Sequence, residues 1–455
     1  MQTDRNALTE GVIWKKLLFF ALPILLGNIF QQMYNTADAL IVGRFLDEAA
    51  VTSSGSLIFM MVGFFNGIAM GAGVVIAKYF GAKDERGVSL AVHTDVAFGL
   101  VAGVVLTVLG VAFTPTILRW MKTPENVLPN SIIYFRIYFC GAIFVVMYNI
   151  FVGILQAVGD SKHPLFYLIC SSLLNVVLDL LFVGGFHWGV WSAALATTIS
   201  QFVTFFILAW FYLSGRSVIK LRLRSFHPSW KLIKTVTVIG IPTAVIQICL
   251  SVASSLTNIA AAPLPDADNI IAAYGVVQRL VLIGCYVVMG FMQGYQPVAS
   301  FAFGARDEDR FHQSVRFALK ASLLLTVLVA VVYILLSRPL ILLFNQNPVI
   351  VDYGRWLLVS QVALYPAFGL CYMMTITYQT IGASGYGLFL STIRQGLFYV
   401  PFILTLPKLF GVTGIYFSQP AADILTILVC MLSIGSMKRI SSASMRGTPK
   451  GADEL

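Results

Sequence analysis

Apolar runs of 18 or more residues recur along this chain from near residue 17 to near residue 436, with only short polar loops between them. An α-helix needs about 20 such residues to cross the hydrocarbon core of a bilayer. Inside lipid only a helix or a closed barrel satisfies its own backbone hydrogen bonds, and the period-two alternation of a membrane barrel is absent. The fold class expected is therefore an all-α polytopic membrane protein. Only 11% of the 455 residues are charged and 58% are hydrophobic, whereas soluble domains carry roughly 25% charged residues. A large soluble enzyme is excluded.

Twelve transmembrane helices can be read, near 17–42, 52–78, 93–118, 131–156, 164–185, 190–213, 232–262, 270–300, 315–337, 354–381, 386–410 and 412–436. Several exceed the crossing length, so they tilt, kink or project from the bilayer. Pro23, Pro242, Pro297 and Pro401 are the candidate kinks. The net charge of +10 does not point to nucleic acid, because the basic residues sit in loops where they set topology, with no basic patch interleaved with aromatics. Arg216, Lys220, Arg222, Arg224, Lys231 and Lys234 crowd the segment after the sixth span. Lys78, Lys83, Arg86, Arg306, Arg310 and the C-terminal tail lie on the same side, which is expected to be cytoplasmic together with both termini. The N-tail, with no small-residue cleavage site after it, is expected to lead into a retained helix. Cys140, Cys170, Cys249, Cys285, Cys371 and Cys430 are scattered singly, without metal or redox spacing.

An internal repeat organises the chain. Lys78-Tyr79-Phe80-Gly81-Ala82-Lys83-Asp84-Glu85 is echoed by Phe301-Ala302-Phe303-Gly304-Ala305-Arg306-Asp307-Glu308 at an offset of 223 residues. The same offset carries Gly71 onto Gly294 and Gln156-Ala157-Val158-Gly159 onto Gln379-Thr380-Ile381-Gly382, and an offset of 219 puts Pro23 on Pro242. Two six-helix bundles in parallel repeat follow, with a cavity between them and alternating access as the expected mode of action. The domains expected are a tail at 1–16, an N-lobe at 17–213, a basic linker at 214–231, a C-lobe at 232–436 and a tail at 437–455. A channel would show a pore-lining motif or a ring of charges, and neither is visible.

Ionisable groups inside the spans are few, and such groups are costly there and mark function by default. Asp38 sits in the first span, about 6 Å below its outer end, and Asp179 in the fifth, about 9 Å deep, taking 1.5 Å per residue. Asn175 shares a helix face with Asp179, and Thr197 in the sixth span falls at similar depth. Two carboxylates, an amide and a hydroxyl suit either a proton or a sodium ion. At the repeat offsets, Thr257, Phe398 and Phe402 stand where Asp38, Asn175 and Asp179 do, so the polar set belongs to the first bundle only. Arg394 and Asp423 read as an ion pair between the eleventh and twelfth helices, with a structural or gating part alongside Pro23 and Pro242. His93, Asp95, Arg316 and Lys320 lie near span ends, where snorkelling accounts for them. Gln31, Tyr34, Asn35, Met61, Gln278, Met289 and Met292 are candidates for lining an adaptable substrate cavity.

The chain resembles the multidrug and toxic compound extrusion (MATE) family over residues about 10 to 440. The residues that carry the resemblance are Pro23, Gln31 to Asp38, Val42-Gly43-Arg44, the Gly81 and Gly304 loops, Gln156 to Asp160, Asn175 with Asp179, and Arg394, Pro401, Gly411, Gly414 and Asp423. The resemblance implies twelve helices in two V-shaped lobes and export of organic, mostly cationic compounds against H+ or Na+. It is nearest the DinF-type branch, in which a first-helix Asp, a fifth-helix Asn-x-x-x-Asp and a sixth-helix Thr form the cation site. Asp38, Asn175, Asp179 and Thr197 match that pattern and would be the metal ligands if Na+ is bound. The acidic C-lobe residues of the NorM-type branch have no match here, Gln247, Gln278 and Gln361 being the nearest polar groups. The expectation is a monomeric antiporter in the cell (inner) membrane, with H+ or Na+ as coupling ion, no other cofactor and no nucleic-acid partner. A lipid-linked oligosaccharide flippase would need a cationic cavity, for which Arg136, Arg279 and Arg394 are available. A membrane enzyme would need clustered histidines, and the five present lie apart.

Overall fold

The structure is a computed structural model. It describes residues 13–45, 55–120, 123, 125, 127–215, 217, 219 and 228–446, without the side chains of 36–45, 55–62, 64 and 65. All regular structure among the described residues is helical. The helices are α1 (Ile13–Phe45), α2 (Gly55–Gly81), α3 (Glu85–Trp120), α4 (Leu128–Cys140), α5 (Ala142–Ala157), α6 (Lys162–Asp179), α7 (Trp191–Leu213) and α8 (Trp230–Ala261). They continue as α9 (Ala267–Gly304), α10 (Glu308–Leu335), α11 (Ser337–Leu342), α12 (Pro348–Val362), α13 (Pro366–Thr380), α14 (Ser384–Thr392), α15 (Tyr399–Phe410) and α16 (Val412–Arg446).

Nine spans among the described residues are long and apolar enough to cross a membrane. Two further spans are bent pairs, α4 with α5 at 42° and α12 with α13 at 44°. Both breaks have a local cause. Gly141 separates α4 from α5, and Pro366 opens α13. Proline at a first helical position has no N–H to lose, but it cannot continue the preceding helix. Helix α2 occupies the second span, so the helices follow the twelve spans read from hydropathy.

The repeat is written into the backbone. Lys83 and Arg306, 223 residues apart, both take left-handed conformations with φ of 59° and 57°, and Gly159 and Gly382 share φ of 93° and 82°. Such a residue ends a helix by turning its last carbonyls back. Asp84 and Asp307 then cap the following helices, each Oδ1 accepting a backbone N–H three residues on at 2.9 Å, from Gly87 and Arg310.

Two compact units emerge. One comprises Leu26–Gly240, and the other comprises Gly11–Leu25 with Ile241–Pro449. The division falls inside helices α1 and α8, within three residues of Pro23 and of Pro242, so each unit holds a helix end from the opposite half of the chain. Small residues make this possible. In the first unit, a Cβ on Gly71 of α2 would overlap the carbonyl of Val236 and lie 2.9 Å from the nitrogen of Gly240 on α8. In the second, a Cβ on Gly294 of α9 would lie 2.5 Å from the Cα of Ala21 on α1. Gly71 corresponds to Gly294 and Ala21 to Gly240 under the repeat, so the two contacts are one motif used twice. Close backbone approach at small residues is the usual packing device between helices in lipid, where hydrophobic exclusion supplies no drive. Leu232, Val236 and Ile239 complete the core of the first unit around Ile76, Val92 and Phe151.

Candidate functional site

In the first unit α6 and α7 run side by side, and they meet through polar groups in an otherwise apolar interior. Asn175 is 2% exposed and its Nδ2 donates to Thr197 Oγ1 at 3.3 Å, while Thr197 Oγ1 donates to the Ala193 carbonyl at 3.1 Å. Asn175 Oδ1 has no hydrogen-bond partner among the described residues, so an acceptor oxygen is left over beside the pair. Asp179 lies one turn further along the same face, fully buried, and the helix continues from it into a π-turn over Leu180–Gly185. Such turns widen a helix by one residue and concentrate where side chains must be re-aimed. The structure therefore brings Asn175 and Thr197 into hydrogen-bond contact, with Asp179 buried one turn along from Asn175. Asp38 lies in α1, but its side chain is outside the described residues, as is that of Met61.

The second unit supplies an informative counterpart. Thr257, the repeat partner of Asp38, is 2.8 Å from the hydroxyl of Tyr399, one residue beyond the repeat partner of Asn175. Where the sequence has given up the carboxylate and amide, the corresponding helices still meet through a polar contact. Asp423 meets a permanent cation. Arg394 Nε donates to its Oδ1 at 2.8 Å and Nη2 to its Oδ2 at 3.3 Å, and Gln419 Nε2 adds a bond to Oδ1 at 2.9 Å. The guanidinium also lies 5.3 Å from the ring centroid of Phe368, and Arg394 sits in a π-turn at Ile393–Phe398. A small cavity beside it is lined by Phe368, Cys371, Tyr372, Leu390, Arg394 and Gln395.

The candidate cavity residues do not share one environment. Gln31, Tyr34 and Gln278 are half-buried and Asn35 is exposed, whereas Met289 and Met292 are buried within the packing of α9. Arg136 and Arg279 are exposed, as are Arg316 and Lys320. Pro23 and Pro242 lie inside their helices next to the division between units. Two features escaped the sequence reading. A chain of buried amides joins Gln296 to Gln379 at 3.3 Å and Gln379 to Thr243 at 2.9 Å, directly after Pro242. Its signal was the repeat of Gln156 by Gln379. The second is Asp95, which does not snorkel: it is 3% exposed, deep in the first unit.

The sequence profile of the MatE family matches residues 23–181 and 242–405. The chain belongs to the MatE family. It is 29% identical over 452 residues to the probable multidrug resistance protein YoeA of Bacillus subtilis, covering 94% of this chain and 96% of that one. It is 24% identical over 429 residues to the multidrug export protein MepA of Staphylococcus aureus, covering 93% and 94%. Its fold matches, at a TM-score of 0.90 and 23% identity, an outward-facing structure of a multidrug resistance MATE family transporter of the MOP superfamily, over 98% of this chain and 99% of the other. As a MatE protein the chain is a multi-pass membrane transporter of the multidrug-efflux type.

Proposed function

We propose that this MatE protein is a secondary active exporter of organic, mostly cationic compounds, driven by influx of H+ or Na+ through the first unit. The observation that carries the reading is the hydrogen bond of Asn175 to Thr197 across facing helices, with Asp179 buried one turn further along. A carboxylate, an amide oxygen and a hydroxyl on these facing helices supply oxygen donors for a small hard cation or a proton. The Thr257–Tyr399 contact supports placing Asp38 beside this set, since the repeat puts Thr257 at the position of Asp38. If Na+ is the ion, Asp38, Asn175, Asp179 and Thr197 would hold it. Binding would neutralise the carboxylates and tighten the first, fifth and sixth spans, and release would loosen them, which couples ion occupancy to alternating access.

A lipid-linked oligosaccharide flippase is the other reading. Of the three arginines it would use, Arg394 is already neutralised by Asp423, which favours the exporter. The inner cell membrane, with both termini cytoplasmic, and a monomeric state complete the proposal. The test is dye efflux from everted vesicles energised in turn by a pH gradient and a sodium gradient. One gradient should drive efflux in the wild type, and Asp38→Asn and Asp179→Asn should each abolish that response at unchanged expression. Efflux indifferent to both gradients, or undiminished in both variants, would overturn it.

A further inference from the structure

Asp95 occupies a place that the ion-coupling site does not explain. It lies on α3, 3% exposed, and neither carboxylate oxygen has a hydrogen-bond partner among the described residues. It faces a small cavity, with space for roughly one water molecule, whose walls are Ala72 and Ile76 from α2, Phe98 from α3, and Leu232, Ile233 and Val236 from the start of α8. The adjacent Thr94 ties the same two elements together, its Oγ1 accepting the backbone N–H of Ser229 at 3.2 Å. Asp95 thus sits under the segment Trp230–Gly240, the part of α8 that completes the first unit.

The chemistry of this pocket admits one ligand. A hard cation gathers about six oxygen ligands, and besides Asp95 only Thr94 among the lining residues carries a side-chain oxygen. Among the described residues no cationic side chain lines the cavity. The titratable groups of the packed elements are Lys78 and Tyr79 on α2, Tyr134, Arg136, Tyr138 and Cys140 on α4, Tyr148 on α5, Tyr212 on α7, Lys231, Lys234 and Cys249 on α8, and Glu85, Arg86, His93 and Arg119 on α3 itself, and none of them lines the cavity. Tyr212 donates a hydrogen bond from its hydroxyl to the Phe151 carbonyl, His93 Nδ1 lies 2.6 Å from the Ser89 carbonyl, and Lys231 and Lys234 are exposed. An ionised carboxylate is costly in such apolar surroundings, and a bound proton would remove that cost.

We propose that Asp95 is a proton-binding site of the first unit, filled while Trp230–Gly240 is packed on α3 and emptied when that segment lifts and water reaches the carboxylate. This goes beyond the exporter reading, because the Asp95 site holds H+ whether the coupling ion elsewhere is H+ or Na+. Infrared spectra of the full chain in lipid nanodiscs at neutral pH test it. The carbonyl-stretch band of neutral carboxyls should lose the intensity of one carboxyl per chain in Asp95→Asn, with the carboxylate bands unchanged. Loss of carboxylate intensity instead would overturn the proposal. Asp95→Leu keeps the proposal decidable on stability: a site that is neutral in the native protein accepts neutral side chains. Asp95→Asn and Asp95→Leu should both keep the wild-type melting temperature at neutral pH, and failure of both to fold would count against it.

Discussion

Arg394 and Asp423 show what a buried charge requires in this protein. Their bidentate contact, with Gln419 as a third donor, leaves few polar atoms of either residue unsatisfied. Removing one partner strands the other in an apolar interior, at about 3–5 kcal/mol. Arg394→Met should therefore lower the melting temperature sharply in detergent, and Arg394→Met with Asp423→Leu should recover most of the loss. A pair that matters only to transport would instead leave the melting temperature of the single variant unchanged. The Thr257–Tyr399 contact is a neutral bond worth about 1 kcal/mol. A double-mutant cycle with Thr257→Val and Tyr399→Phe should give a coupling of that size. At this scale the sequence is a partial guide. It identified which side chains are charged and which helices carry them, but not which neighbours cover them. Asp95 reads from its position as a side chain reaching for the interface, yet it is sealed by Leu232 and Val236, which arrive from a segment about 135 residues later. Met289 and Met292, candidates for an adaptable cavity wall or for ordinary packing, are buried on α9.

Helices were more legible than contacts, because a span announces itself by the length of its apolar run. The ends of α2 and α9 were readable in the Gly-Ala-Lys-Asp and Gly-Ala-Arg-Asp turns, and the structure gives both the same left-handed residue and the same aspartate cap. The π-turns at Leu180–Gly185 and Ile393–Phe398 left no comparable mark, since one extra residue in a turn changes no apolar pattern. The close crossings of α2 with α8 and of α9 with α1 make a prediction at this scale. Gly71→Ala and Gly294→Ala each force a methyl group into a neighbouring backbone and should destabilise by about 1–3 kcal/mol. Gly275→Ala and Gly435→Ala meet nothing within 4 Å, and they should be neutral or slightly stabilising, as alanine favours the helix. Melting temperatures of the four variants, measured side by side, check the contrast. Equal effects in all four would remove the packing argument.

At the level of the whole molecule, the repeat gives both halves the same turn chemistry at Lys83 and Arg306. The loop charges give a directional prediction: cysteines introduced at these two positions in a cysteine-free background should react with an impermeant thiol reagent only from the cytoplasmic side. Labelling from outside would invert the topology. The sequence made the duplication visible, but it did not show that the units divide within α1 and α8 rather than at the basic loop between the halves. That division depends on which surfaces Ala21 and Gly240 lie against, and pairwise backbone approach has no one-dimensional signature.

The shared helix ends have a consequence for how the protein is made. While the ribosome has delivered only the first six spans, the surface around Gly71 still lacks Val236 and Gly240, and the leading turns of α1 have no Gly294 to lie against. The first unit cannot finish folding during synthesis of its own half, so its helices and the leading turns of α1 wait in the membrane, incompletely packed, for the second half to emerge. Co-expression of the two halves as separate chains should yield stable protein, and either half alone should be degraded.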